Sequence, residues 1–159
     1  PLYGQELGDD PDGEEIPIFS CPLARHAVSF SPVKGDYVGG EALRGQRDAL
    51  KGILERDFSR LETLPRRLWP IAVLGRGIAR PGDEIFYDGD PVGRVTSGTM
   101  VPYWKTAGRG LSSHPSDEHA LRPIGLALVE LLNRAGVSLA QGDKATVFAR
   151  TAPEPATSG

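Results

Sequence analysis

A short turn between two apolar runs constrains the fold of this chain most strongly. Asp88-Gly89-Asp90 separates Glu84-Ile85-Phe86-Tyr87 from the run that begins at Pro91. Asp-Gly between two such runs is the pattern of a two-residue β-hairpin. Gly93 and Gly98 interrupt the second run, which indicates close backbone approach or a bend in that strand. The segment therefore predicts a pair of antiparallel strands.

Further short apolar runs surround this hairpin. The chain has 20 glycines and 14 prolines among its 159 residues, and such a composition favours many turns and short strands over a helix bundle. The predicted strands cover residues 68–74, 84–87, 91–96, the first half of 124–132, and 143–150. Together they predict a mainly β protein with some helix (α+β), folded as a small antiparallel β-barrel or jelly-roll-like unit.

A helical segment is predicted before the strands. Apolar residues recur there at helical spacing, which predicts an amphipathic helix or helix pair over 41–63; they are Leu43, Leu50, Ile53, Leu54, Phe58, Leu61 and Leu64. We accordingly divide the chain into a linker and helical segment (1–66), a barrel (67–150) and a disordered tail (151–159). The tail is assigned from its Pro-, Ala- and Ser-rich composition.

Charge and cysteine content narrow the function classes. The net charge is −3 and basic residues are mixed with acidic ones, which argues against a nucleic-acid partner. No apolar run approaches the length of a membrane-spanning helix, so we expect no membrane partner. Cys21 is the only cysteine. It excludes a disulfide within the chain and favours a reducing compartment, so we expect a cytoplasmic protein with a structural or surface thiol.

No spacing of reactive residues reveals an active site, and we assign no catalytic residue. His114, Asp117, Glu118 and His119 cluster within six residues. The two histidines are five apart, which does not place them on one helix face. Pro115 indicates a loop. A polar loop is therefore favoured over a metal site, and we expect no metal.

A second candidate combines aromatic and cationic side chains. Tyr103-Trp104-Lys105 and Arg109 lie in a predicted loop within residues 100–122. Such a loop can clamp a planar ligand or a partner surface, because the aromatics provide contact area and arginine provides directed charge. The alternative is that Tyr103 and Trp104 anchor the loop onto the barrel.

Several motifs occur in an order that resembles a known family. They are Pro1-Leu2-Tyr3-Gly4-Gln5-Glu6-Leu7, Lys34 to Leu43, Leu68 to Leu74, Gly77-Ile78-Ala79-Arg80, Val92-Gly93-Arg94-Val95-Thr96-Ser97-Gly98-Thr99 and Ile124-Gly125-Leu126-Ala127. In this order they resemble the C-terminal barrel domain of the glycine cleavage T-protein family of aminomethyltransferases. The chain departs from the family in the 21 residues between Pro102 and Ile124, where the family has a short turn, and in lacking the usual final strand.

The resemblance implies the C-terminal portion of a tetrahydrofolate-dependent aminomethyltransferase-like one-carbon transferase or demethylase. It implies that folate binds mainly in a domain upstream of Pro1, so the isolated chain is expected to be inactive. The implied partners are that upstream domain and a lipoyl carrier protein. Two alternatives stay open: a non-catalytic barrel module for protein contact, and a folate-binding tRNA-modification relative. The motif of that relative is echoed over 34–41, with Asp36 and Gly40 replacing its cysteine and glutamine.

Overall fold

The structure is a computed structural model, which describes Leu7, Gly13 and residues 15–132, 134, 136–140 and 143–148. These residues form one α-helix, five β-strands and several short 3-10 turns. The helix α1 covers Gly40–Leu54. The strands are β1 (Arg66–Ala72), β2 (Glu84–Tyr87), β3 (Asp90–Ala107), β4 (His114–Glu130) and β5 (Thr146–Phe148). The predicted fold class, mainly β with some helix, is confirmed.

The five strands form one sheet in the order β1-β4-β3-β2-β5, and every neighbouring pair is antiparallel. The predicted hairpin is confirmed, with Tyr87 opposite Asp90. Asp88 and Gly89 have φ angles of 51° and 85°. Both central residues thus lie in the left-handed region, as a two-residue turn between twisted strands requires.

The sheet curls around a buried cluster, which gives it a barrel-like shape. Trp69 and Ile71 from the edge strand β1 pack against this cluster, and so does Val147 from the opposite edge strand β5. Register shifts at Ile85/Phe86 and Val95/Ser97 mark bulges, which increase local twist and bend a strand. The cluster consists of Ala79, Ile85, Val92, Val95, Ala127 and Val129.

The helix packs on a second cluster near one end of the sheet. Its buried residues Ala49, Leu50 and Ile53 meet Phe19 and Leu131 there. The cluster belongs to the same core face as the first, because Trp69 contacts both. The sheet thus receives its helical cover from residues that precede it in the chain.

The helix is shorter than the predicted 41–63. It ends at Leu54 because the backbone turns back at Arg56, whose φ is 62°. The Asp57 N–H then donates to the carbonyl of Gly52 at 2.9 Å. A 3-10 turn at Leu61–Thr63 is the only later helical piece before the sheet among the described residues.

The prediction of a loop over residues 100–122 is wrong. β2 pairs with β3 no further than Arg94, and β1 pairs with β4 no further than Ile124. Beyond those points β3 and β4 continue to pair with each other as far as Ala107 and His114. We call the two-stranded ribbon of residues 100–122 the arm.

Proline explains why the arm is misjudged from sequence. Pro102 and Pro115 lie in the two segments that pair in the arm, and proline argues against a central strand because it cannot donate to the ladder. In a two-stranded ribbon both strands are edge strands, where proline is tolerated. Gly108 and Gly110, with φ of 84° and 58°, provide the reversal at the tip.

Other predicted bounds differ or fall outside the described residues. Of the strand predicted over 143–150, residues 146–148 are a strand, and 149–150 lie outside the described part. The predicted tail 151–159 and most of 1–14 also lie outside it. Among the described residues, no helix has the length and apolar character needed to cross a membrane.

Candidate functional site

The aromatic and cationic residues predicted as loop contacts lie on the arm. Tyr103, Trp104 and Lys105 belong to β3, so their predicted loop location is wrong. Arg109 lies at the tip and directly precedes the 3-10 turn Gly110–Ser112. Its carbonyl accepts a hydrogen bond from the Ser112 hydroxyl at 2.8 Å.

Strand alternation directs Tyr103 and Trp104 to opposite faces of the arm. The guanidinium carbon of Arg122 lies 4.3 Å from the centre of the Tyr103 ring. Trp104 is 62% exposed and meets the ring of His119 edge-on, with centroids 5.9 Å apart. The predicted residues therefore do not form one clamp, and Arg122 is a cation at this site that the sequence analysis missed.

Lys105 and Glu118 form an ion pair across the arm. The Lys105 Nζ donates to Glu118 Oε2 at 2.8 Å. This hydrogen bond raises the pKa of Lys105 and lowers the pKa of Glu118. Both side chains are exposed to solvent, so the pair adds little to stability.

The polar cluster His114, Asp117, Glu118 and His119 lies on β4, and its predicted loop location is wrong. Within the described part of the chain, no group of three or more His, Cys, Asp or Glu is arranged to hold a metal ion. Cys21 is a free, half-buried thiol that packs beside Leu7, Ile16 and Leu128.

A shallow concavity of about 510 Å³ lies on the sheet where β1, β3 and β4 run side by side. Its lining is almost entirely apolar, and Ser97 and Thr99 bring the only side-chain hydroxyls. The lining residues are Pro70, Ile71, Ala72, Ser97, Gly98, Thr99, Ile124, Gly125 and Leu126. We call it the sheet concavity.

Register places the sheet concavity on the face opposite the core cluster. Pro70 pairs with Leu126, and Ala72 with Ile124, so these side chains share one face. Ile71 points to the other face, into the core. Leu128, two residues after Leu126 on the same strand, is covered by Leu7 and Ile16. The N-terminal segment thus covers the neighbouring part of the face, beside the concavity.

Sequence reasoning missed the sheet concavity. Residues 97–99 and 124–126 were recognised as motif positions, but nothing local indicates that β1 joins them. Gly98 concerns the core face instead, because a Cβ there would overlap the carbonyl oxygen of Ala79. This confirms the close backbone approach predicted at that glycine.

Comparison with known proteins gives partial matches to curated aminomethyltransferases. The chain is 35% identical over 133 residues to "Aminomethyltransferase" of Geobacillus kaustophilus, which covers 82% of the chain and 26% of that protein. It is 30% identical over 135 residues to that of Thermosipho melanesiensis, with 85% and 27% covered. It is 34% identical over 102 residues to that of Lysinibacillus sphaericus, with 64% and 22% covered.

The chain thus spans about a quarter of the length of the curated relatives it matches. No family model matches it. The comparisons relate most of the chain to proteins of one name, and the predicted resemblance is confirmed to that extent.

Proposed function

Because the chain is related to curated aminomethyltransferases, we propose that it is the C-terminal, barrel-like part of a tetrahydrofolate-dependent one-carbon transferase or demethylase. The observation that carries the proposal is the 133-residue match at 35% identity. The ordered motifs agree with it, since Val92–Thr99 lies in β3 and Ile124–Ala127 lies beside it in β4.

The sheet concavity does not fit a pterin ring. A pterin presents several donors and acceptors, which a binding site must match with converging polar groups. The sheet concavity offers only the hydroxyls of Ser97 and Thr99 among apolar side chains. We therefore assign no catalytic or folate-binding residue to this chain and derive no chemical step from it.

In the proposal, tetrahydrofolate is held mainly by another domain of the parent protein, upstream of Pro1. The proposed partners are that domain and a lipoyl carrier protein, and the proposed compartment is the cytoplasm. The chain itself would support the folate domain and help to exclude water from its site.

The alternative of a non-catalytic contact module is favoured by a specific observation. The arm exposes Met100, Trp104 and Leu121 at 41%, 62% and 63%. Alternation and the pairing of Trp104 with His119 place them on one face. Exposed apolar side chains that share a face are typical of contact surfaces. The tRNA-modification relative has no comparable observation in its favour.

An aminomethyl-transfer assay tests the proposal. The product of the complete coding sequence is compared with residues 1–159 alone, each with tetrahydrofolate and an aminomethylated lipoyl carrier. We expect turnover by the complete protein and none by the isolated chain, because the sheet concavity offers too few polar groups to match a pterin. Transfer by residues 1–159 alone would show that the site is misplaced. Inactivity of both would favour the contact module.

The role of the arm is tested in the same complete protein. Residues Tyr103, Trp104, Lys105 and Arg109 are proposed to contact a substrate or another subunit. The double substitution Tyr103→Ala and Trp104→Ala is then expected to alter transfer kinetics or oligomeric mass. Leu111→Ala, at a fully exposed tip residue, provides the control. Unchanged kinetics and mass in the double variant would leave the arm as a tolerated surface insertion.

A further inference from the structure

The sheet concavity continues toward the arm along one line of side chains. Leu126, Ile124 and Arg122 alternate along β4, so they share a face and follow one another at intervals of about 7 Å. Thr99 pairs with Ile124, and Val101 pairs with Arg122. Arg122 therefore lies one step beyond the apolar floor of the concavity, on the same side of the sheet.

Arg122 carries a charge that no carboxylate among the described residues matches. Glu118, which lies four residues before Arg122 on β4, is paired with Lys105 at 2.8 Å. Arg122 instead stacks on Tyr103, with 4.3 Å between its guanidinium carbon and the ring centre. Stacking fixes the plane of the guanidinium and uses one of its faces, while the N–H donors at its edge can still receive a planar anion.

These observations define the chemistry of a ligand. The apolar floor disfavours a charged or strongly polar group over Pro70, Ile124 and Leu126, since burying such a group without partners is costly. At the arm end, the fork of a guanidinium matches the two oxygens of a carboxylate. The volume of about 510 Å³ is within the range of small-molecule sites.

From this we propose that the sheet concavity binds a small molecule with an apolar body and a terminal carboxylate, which Arg122 receives. Tyr103 acts as a positioning residue that fixes the plane of the guanidinium by stacking on it. The proposal does not depend on folate chemistry or on transferase activity. It assigns a role to Arg122 and to the pairing of β1 with β4.

The test uses the 159-residue chain with octanoate and 1-octanol as probes, which differ in the terminal group. Amide signals are followed by NMR during each titration. We expect octanoate to shift saturably the amides of Ala72, Thr99, Ile124 and Gly125. We expect it to bind at least about tenfold tighter than octanol, the ratio that one charge-assisted hydrogen bond supplies.

Matched variants distinguish the contribution of the Arg122 charge to binding from the contribution of the sheet concavity. Arg122→Gln is expected to weaken octanoate binding about tenfold and leave octanol unchanged, while Arg122→Lys keeps part of the preference. Arg60→Gln removes the same charge at an exposed position outside the sheet and should have no effect. Ala72→Trp, at an exposed position, should fill the concavity and abolish binding of both probes.

Four outcomes would overturn the proposal. The first is equal affinity for octanoate and octanol. The second is wild-type octanoate affinity in Arg122→Gln with its folded NMR spectrum retained. The third is a set of shifted amides that does not include the concavity. The fourth is an equal loss of octanoate affinity in Arg60→Gln, because the effect would then reflect net charge rather than position.

Discussion

Replacing Gly98 with alanine should destabilise the fold through one defined clash. The new Cβ would overlap the carbonyl oxygen of Ala79, which is only 3% exposed and belongs to the core cluster. Gly98 does not have a positive φ, so the backbone itself accepts alanine. The cost therefore comes from moving the loop between β1 and β2, residues 73–83, which contains Ala79.

The structure sets the size of this cost. Two backbone hydrogen bonds hold the loop to β3, from Gly82 N–H to Val95 O and from Val95 N–H to Asp83 O, both at 2.8 Å. Weakening both at roughly 0.5–1.5 kcal/mol each gives about 1–3 kcal/mol. This agrees with the usual cost, about 1–3 kcal/mol, of inserting a methyl group into a packed site.

Urea denaturation, followed by tryptophan fluorescence and circular dichroism, measures the free energy of unfolding. Gly45→Ala is the matched control, because no atom lies within 4 Å of its added Cβ and it lies inside α1. It should stabilise the chain by about 0.5–1 kcal/mol. The reasoning is refuted if Gly98→Ala unfolds at the same urea concentration as wild type, or a higher one, while the control behaves as expected.

Three further outcomes are expected. Leu128→Ala should lower the free energy of unfolding by roughly 2–5 kcal/mol, because Leu128 is 1% exposed. Its control is Leu54→Ala, at a residue that is 60% exposed, which should change the free energy of unfolding by less than about 1 kcal/mol in the same urea assay. Lys105→Gln should bring the pKa of Glu118 back up toward its ordinary value in an NMR titration, because the Lys105 hydrogen bond lowers it. The stabilisation from this depressed pKa is present above the unfolded-state pKa and is lost as the pH falls through the folded one; an unchanged Glu118 pKa would contradict the ion pair. Arg56→Gly should stabilise the chain by up to about 1 kcal/mol in urea, because the φ of 62° favours glycine, and a loss of stability would contradict this.

Much of the central sheet could be predicted from sequence. The hairpin at Asp88-Gly89 was predicted correctly because two left-handed residues in succession demand a particular turn chemistry. β2 was predicted with its observed bounds, and the starts of β1 and β3 were within two residues. Short apolar runs between turn signals were enough for this, since each run is buried on at least one side.

The arm and the helix end could not be predicted in the same way. Pro115 indicated a loop, although an isolated ribbon tolerates proline. Helical spacing continued past Leu54, although the chain reverses at Arg56. The pairing of β3 with β4 in the arm and the reversal at Arg56 overrode the local pattern.

The sequence by itself determined local features of the backbone: where the chain turns, in which strands side chains alternate between two faces, and which glycine allows another segment to approach closely. These depend on backbone sterics and side-chain periodicity over a few residues. Tertiary structure alone decided that β1 lies beside β4, which forms the sheet concavity, and that Arg122 stacks on Tyr103 on the arm. Such neighbours are distant in sequence, and their pairing depends on the register and burial of the whole sheet, which no short segment encodes.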